Sequence, residues 1–242
     1  MRCFIDNIYG GFSDANDKDT YLAERAILAP KNDIVDEIND AVLKEMNTEG
    51  MIFLSADSVE SSGSDENACN FPVEFLNTLN ISAFPAHRLE IKVGCPIMLL
   101  RNICSAQGLC NGTRLIVTNL SRRLITARIL NGSQKKKVVF IPRITLIHES
   151  GNNSRLPFDL KRHQFPVRVA FSMTINKAQG QTLSHLGVYL PTPVFAHGQL
   201  YVALSRATKR ESVKMLVANG KFLGHEGIYT KNVVYRSIFS DN

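Results

Sequence analysis

Phe171-Ser172-Met173-Thr174-Ile175-Asn176-Lys177-Ala178-Gln179-Gly180-Gln181-Thr182 opens as a strand and closes as a turn. The strand should end near Thr174, with a short helical turn after it. Gly180 can then take the left-handed conformation that stops a helix. A turn at the C-terminal end of a strand is where open α/β sheets place ligand contacts. This one offers hydroxyls, an amide, a lysine and free backbone N–H groups, donors that suit phosphate. Ser, Thr, Asn and Gln at such a junction also serve as caps and turns, so the stretch alone leaves both readings open.

A second stretch follows: Gln199-Leu200-Tyr201-Val202-Ala203-Leu204-Ser205-Arg206-Ala207-Thr208. A helix is predicted from about Ala196, with Leu200, Ala203, Leu204 and Ala207 as its apolar face. Arg206 ends it, just before Lys209 and Arg210. An arginine there can simply complement the helix dipole. Between the two stretches Gly187 to Leu190 reads as a strand, and Ser212 to Val217 as a final one.

Working outward, Ala26-Ile27-Leu28-Ala29-Pro30 is a short apolar strand stopped by proline. Asn32 or Asp33 can cap the next helix, and Ile34, Val35, Ile38, Val42 and Leu43 lie on one face of it. Strand, polar turn and helix make the basic α/β unit. Residues 55–70, with Ser61-Ser62-Gly63-Ser64-Asp65, read as a flexible surface loop, and Phe71 to Leu79 as a short helix. From Arg88 the pattern changes to short strands: Leu89–Val93, Pro96–Leu100, Thr113–Leu120, Leu124–Leu130 and Lys137–Ile147. Turns at Ser121-Arg122-Arg123 and Asn131-Gly132-Ser133 connect them. This predicts a small β-barrel inserted between two α/β stretches. Val167 to Met173 reads as one strand that resumes the α/β texture.

Bulk properties narrow the class. Charged residues at 21% and hydrophobic ones at 44% suit a folded core rather than a disordered chain. No apolar run approaches the ~20 residues of a membrane span, and Asp6 argues against a secretory signal. The net charge of +6 is compatible with a polyanionic partner. Five cysteines at positions 3, 69, 95, 104 and 110 are odd in number and hold no CxxC, so reduced thiols are expected rather than disulfides or zinc. Residues 1–24, polar and acidic around Ser13 to Asp19, read as a linker. Lys135-Lys136-Lys137 reads as a solvated hairpin tip or a phosphate contact.

Taken together, TINKAQGQTL and YVALSRAT resemble motifs V and VI of the Pif-one-type helicases of superfamily one, relatives of RecD that include helitron helicases. AILAPKNDIVDEIN (Ala26–Asn39) resembles the opening strand and helix of the second RecA-like domain. LEIKVGCPIMLLRN (Leu89–Asn102) and LCNGTRLIV (Leu109–Val117) resemble the family's inserted barrel of the Src-homology type. The resemblance covers roughly residues 20–220. It implies an α/β, RecA-like second motor domain of the P-loop NTPase type, discontinuous at 25–87 and 160–242, with the barrel at 88–150.

It also implies roles. Arg206 would be the arginine finger that reaches the γ-phosphate of ATP. Gln179, Gly180 and Gln181 would face the nucleotide. Thr174, Asn176 and Lys177 would meet DNA phosphates, as would Pro30, Lys31 and Asn32 at the end of the first strand. Many relatives carry His at the position of Asn176 and Ser at that of Ala178, so this sequence departs from the family pattern at both and has no imidazole to offer there. The barrel is expected to border the track, with Arg101, Arg114 and Arg122 as contacts or solvated rim. The implied partner is single-stranded DNA, tracked 5′ to 3′, in an intracellular protein of the nucleus or the mitochondrion.

A P-loop needs G-x-x-x-x-G-K-[S/T]. The only Gly-Lys is Gly220-Lys221, followed by Phe222, and Met215 stands where the first glycine would be. No Walker B acids are evident either. ATP and Mg²⁺ are therefore expected only together with a first, N-terminal RecA-like domain. The alternative is a non-catalytic nucleic-acid-binding module or a transposon-derived remnant.

Overall fold

The computed structural model describes residues 1–12, 15–60, 71–81, 84–150, 156–221 and 224–235. In chain order its elements are α1 (Arg2–Tyr9), α2 (Lys18–Ala23), β1 (Arg25–Ala29), α3 (Asn32–Glu45), β2 (Gly50–Leu54), β3 (Ala56–Glu60), α4 (Val73–Thr78), β4 (Arg88–Lys92), β5 (Pro96–Leu99), β6 (Arg114–Leu120), β7 (Leu124–Ile129), β8 (Val138–Pro142), β9 (Ile144–His148), β10 (Asp159–Gln164), β11 (Val167–Val169), β12 (Ser172–Thr174), β13 (His185–Leu190), α5 (Gln199–Leu204) and β14 (Val213–Val217). They form two compact units, one of residues 1–47 and 170–242, the other of residues 48–169. The expected boundaries at 88 and 150 therefore move outward. β2, β3 and α4 on one side, β10 and β11 on the other, belong to the inserted unit.

The first unit is built on a sheet in the order β12-β1-β13-β14. Every pairing in it is parallel, with Ala29 opposite Thr174, Leu28 opposite Val188 and Val188 opposite Met215. A parallel sheet must be covered on both faces, and β1 reads accordingly: Ala26, Ile27, Leu28 and Ala29 are all buried. One apolar cluster joins Leu28, Met173, Ile175, Ala178, Leu183, Val188 and Ala203.

Asn39 on α3 secures the edge strand β12 as a neighbouring strand would. Its amide oxygen accepts the Ser172 N–H at 2.7 Å, and its Nδ2 donates to the Ser172 carbonyl at 3.2 Å. Ser172 Oγ in turn donates to the Ile27 carbonyl at 3.0 Å. α3 begins at Asn32 behind an N-cap at Lys31 that makes no side-chain cap bond. The expected caps Asn32 and Asp33 therefore lie inside the first turn.

Residues 1–24 hold two helices where a linker was expected. Phe4, Ile5, Ile8 and Tyr9 sit one helical turn apart in pairs and are buried. The Tyr9 hydroxyl donates to the Phe171 carbonyl at 2.6 Å. Asp17, read as part of an acidic linker, accepts from the N–H groups of Asp19 and Thr20 and caps α2.

The second unit carries a five-stranded antiparallel sheet, β11-β5-β6-β7-β8, a three-stranded one, β3-β10-β9, and the pair β2-β4. The stretch Lys137–Ile147, expected as one strand, divides at Arg143. β8 pairs with β7 while β9 pairs with β10. Val167–Met173 divides likewise: β11 pairs antiparallel with β5, whereas β12 pairs parallel with β1. Arg162 is buried with Asp57 at 2.7 Å and also donates to the carbonyls of Pro85 and Leu76, so no donor charge is left uncompensated inside. Of the expected loop 55–70, residues 56–60 form β3, and 61–70, Cys69 included, lie outside the described residues. Among the described residues no helix is long and apolar enough to cross a membrane.

Candidate phosphate and nucleic-acid site

The parallel sheet of the first unit has two chemically distinct ends. At the carboxyl end, Thr174 closes β12 in register with Ala29, so Pro30, Lys31 and Asn32 leave the sheet beside it. Lys31 and Asn32 are exposed. Pro30 is buried and has no N–H, so it offers only its carbonyl. Thr174 is half-buried and starts a four-residue 3₁₀ turn, Ile175–Ala178, whose Asn176 and Lys177 are exposed while Ile175 and Ala178 enter the core.

From there the chain crosses back over the sheet. Gly180 takes φ +81°, the left-handed conformation expected of it. Leu183 forms an isolated parallel bridge with Ala207, two residues ahead of β13 and hence at the amino end of the sheet. At about 3.3 Å per residue, the β13 strand separates the two ends by roughly 20 Å. The ten-residue crossover thus runs from one end of the sheet to the other with Asn176, Lys177, Gln179, Gly180 and Thr182 exposed and Ile175, Ala178 and Leu183 buried.

α5 packs on the same 3₁₀ turn and runs from the carboxyl end to the amino end. It begins at Gln199, after Gly198 at φ +71°, rather than at Ala196. Arg206 follows its last turn, half-buried. Its Nε donates to the Val202 carbonyl at 3.1 Å, Nη1 to the Gln181 carbonyl at 3.2 Å and Nη2 to Ser205 Oγ at 3.0 Å. Ser205 Oγ itself donates to the Val202 carbonyl at 3.1 Å. A guanidinium has five N–H donors; three are engaged, leaving one on each terminal nitrogen. The cation is held in a defined orientation yet keeps a two-pronged edge, the geometry that binds phosphate or carboxylate.

Two of the expected site groups therefore meet directly, Arg206 and the 179–181 turn. Thr174 adjoins Pro30, Lys31 and Asn32 at the other end. Arg114, expected as a DNA contact or rim residue of the second unit, is 2% exposed and belongs to the core there. Arg101 lies over the Phe84 ring at 5.7 Å, half-buried, and Arg122 is exposed in the β6–β7 turn.

Sequence reasoning passed over Gln199. It is 2% exposed, and its Oε1 accepts the Phe195 N–H at 3.1 Å, fixing the loop ahead of α5. A glutamine opening an apolar helix was the signal available. Asn39 was also missed, although a polar residue at an apolar-face position marked it.

The Arg206 edge fits a phosphate group. Among the described residues no cluster of three His, Cys, Asp or Glu side chains could hold a metal ion, so these residues offer Mg²⁺ no ready set of ligands.

The family model described as DNA helicase Pif1, 2B domain, matches residues 74–120. Human ATP-dependent DNA helicase PIF1 is 34% identical over 146 residues, 59% of this chain and 21% of the relative. The Bdellovibrio bacteriovorus ATP-dependent DNA helicase Pif1 is 29% identical over 203 residues, 84% of this chain and 40% of the relative. Among solved structures, Bacteroides Pif1 in complex with ADP-AlF3 and single-stranded DNA superposes with a TM-score of 0.60 at 22% identity, covering 98% of this chain and 52% of that one. Candida albicans Pif1 gives 0.58 at 24%, covering 90% and 54%. These structures share the RecA-like helicase fold. The chain spans about a fifth of the human relative and about half of each solved one. On sequence and fold together, the chain is similar to the C-terminal part of the Pif1-type helicases.

Proposed function

We propose that this chain is the C-terminal motor part of an ATP-dependent, 5′-to-3′ DNA helicase acting in DNA repair, recombination, replication or telomere maintenance. In this reading it supplies the arginine finger and part of the single-stranded DNA track. The observation that carries it is the hydrogen bond from Arg206 to the Gln181 carbonyl. It joins the two chemistry-bearing stretches at one end of the sheet and leaves a cationic edge for the phosphate of a nucleotide held by a partner RecA-like lobe.

In this reading labour divides between the two ends of the sheet. At the amino end, Arg206 with Gln179, Gly180 and Gln181 faces the nucleotide. The guanidinium stabilises charge on the transferring phosphoryl group, and its ties to Val202, Ser205 and Gln181 keep it oriented before the phosphate arrives. At the carboxyl end, Lys31, Asn32, Thr174, Asn176 and Lys177 hold the sugar–phosphate backbone of the strand. The 48–169 unit is the inserted small barrel of the family, with the five-stranded sheet as its main wall. ATP and Mg²⁺ are used when the partner lobe is present. A nuclear or mitochondrial location suits this work. The reading is supported by the relatives' names as ATP-dependent DNA helicases and by the solved Bacteroides complex with ADP-AlF3 and single-stranded DNA.

The test joins this chain to the first motor domain of the human relative, in place of that protein's own C-terminal part. The expected result is single-strand-stimulated ATP hydrolysis and unwinding of a duplex with a 5′ tail. A fusion that folds and binds ATP, yet neither hydrolyses it nor binds DNA, refutes the proposal.

A further inference from the structure

We propose that Phe195 and the stacked His197–Tyr235 pair form a base-stacking platform for single-stranded nucleic acid at the carboxyl end of the parallel sheet. The inference rests on the nucleic-acid reading above and adds a kind of contact that reading does not contain. The residues named so far at this end are assigned to phosphates; none of them offers an aromatic face on which a base could stack.

The placement follows from topology. Residues 191–198 leave the carboxyl end of β13, and β13 and β12 flank β1 on either side. Strands lie about 4.8 Å apart, so the ends of β12 and β13 are roughly 10 Å from one another. α5, which follows this loop, packs on the Ile175–Ala178 turn that carries Asn176 and Lys177. The loop therefore stands beside the polar groups expected to meet phosphates, Lys31 among them.

The chemistry is that of an aromatic shelf. Phe195 is 59% exposed and Tyr235 60% exposed, so both rings are open to a partner from solvent. The His197 and Tyr235 rings lie 4.7 Å apart at 16° to each other, a stacked pair. The Tyr235 N–H donates to His197 Nδ1 at 3.1 Å, which pins the chain segment to the loop. Phe195 is pinned as well, through its N–H on the buried Gln199 side chain. Rigid exposed rings lose little freedom on binding. Aromatic faces next to cations are how proteins grip single strands without regard to sequence, because every base has a π-face. A polyanion also complements the net charge of +6.

The experiment measures affinity of the 242-residue chain for oligothymidylate and for an abasic strand of the same length and charge, about twelve nucleotides. Phe195→Ala and Tyr235→Ala should each weaken oligothymidylate binding by about fivefold or more and leave the abasic strand unchanged. Phe195→Trp should retain the preference for bases. Both side chains are exposed, so the variants keep the fold, which circular dichroism checks. If the variants alter neither affinity, or lower both alike, the platform is refuted. If the wild-type chain binds neither strand, the underlying nucleic-acid reading falls, and the platform with it.

Discussion

Gly180 illustrates how one residue holds the site's shape. Its φ of +81° is disfavoured for any residue with a Cβ, yet nothing lies within 4 Å of where that Cβ would stand. A methyl group there meets no obstacle and acts through the backbone alone. Gly180→Ala should therefore cost about 1–2 kcal/mol of stability in urea unfolding, with no change in packing elsewhere. No loss would mean the turn relaxes freely. Asn39 acts through hydrogen bonds instead. Asn39→Ala removes both bonds to the Ser172 backbone and leaves a buried N–H unsatisfied, an effect of about 1–3 kcal/mol by the same measurement. Cys95 gives a chemical check on the fold. Burial pushes its thiol up to about 12, so at neutral pH it is protonated as well as enclosed. Iodoacetamide should label exposed Cys3 in the native protein and leave Cys95 untouched until the chain unfolds; fast native labelling of Cys95 would contradict the packing described.

At the scale of elements, the crossover from Thr174 to Leu183 does the work of a connecting helix in ten residues and presents a different chemistry at each end. The carboxyl end is testable by salt. Each phosphate contact contributes about 0.7 to the log–log slope for single strands. Lys31→Ala and Lys177→Ala should each lower that slope by about this amount, whereas Asn176→Ala, which removes no charge, should weaken binding at constant slope. A lysine variant that leaves the slope intact does not touch the strand. The strand β1, the turn after Thr174 and the apolar face of α5 were legible in the sequence because local patterning decides them: Ala26 to Ala29 without alternation, Gly180 after a polar turn, and Leu200 and Ala203 one helical turn apart. Which sheet a strand joins is not a local property. Nothing in Val167 to Met173 marks the break at Ala170, where the chain passes from an antiparallel partner to a parallel one. Helix α1 was hidden for another reason. Its apolar face is only four residues long and is interrupted by Asp6 and Asn7, so composition read it as linker. The bond between Arg206 and the Gln181 carbonyl spans 25 residues and uses a backbone acceptor, which no side-chain motif announces.

On the scale of the whole molecule, the proposed function divides labour between this chain and a nucleotide-holding lobe. The 242 residues contain no G-x-x-x-x-G-K-[S/T], so the chain by itself should turn over no ATP, with or without single-stranded DNA. Turnover above background from the purified chain would overturn that division. The central claim concerns Arg206, and the most direct measurement is single-turnover ATP hydrolysis by the chain fused to the human relative's first motor domain, comparing wild type with Arg206→Ala and Arg206→Lys. Both variants should slow the chemical step, the alanine by about 10³- to 10⁵-fold, while affinity for single-stranded DNA stays within about twofold, since Arg206 lies at the opposite end of the sheet from the groups proposed to hold the strand, roughly 20 Å away. Unchanged hydrolysis in the alanine variant, or an equal loss of hydrolysis and DNA binding, would contradict the account.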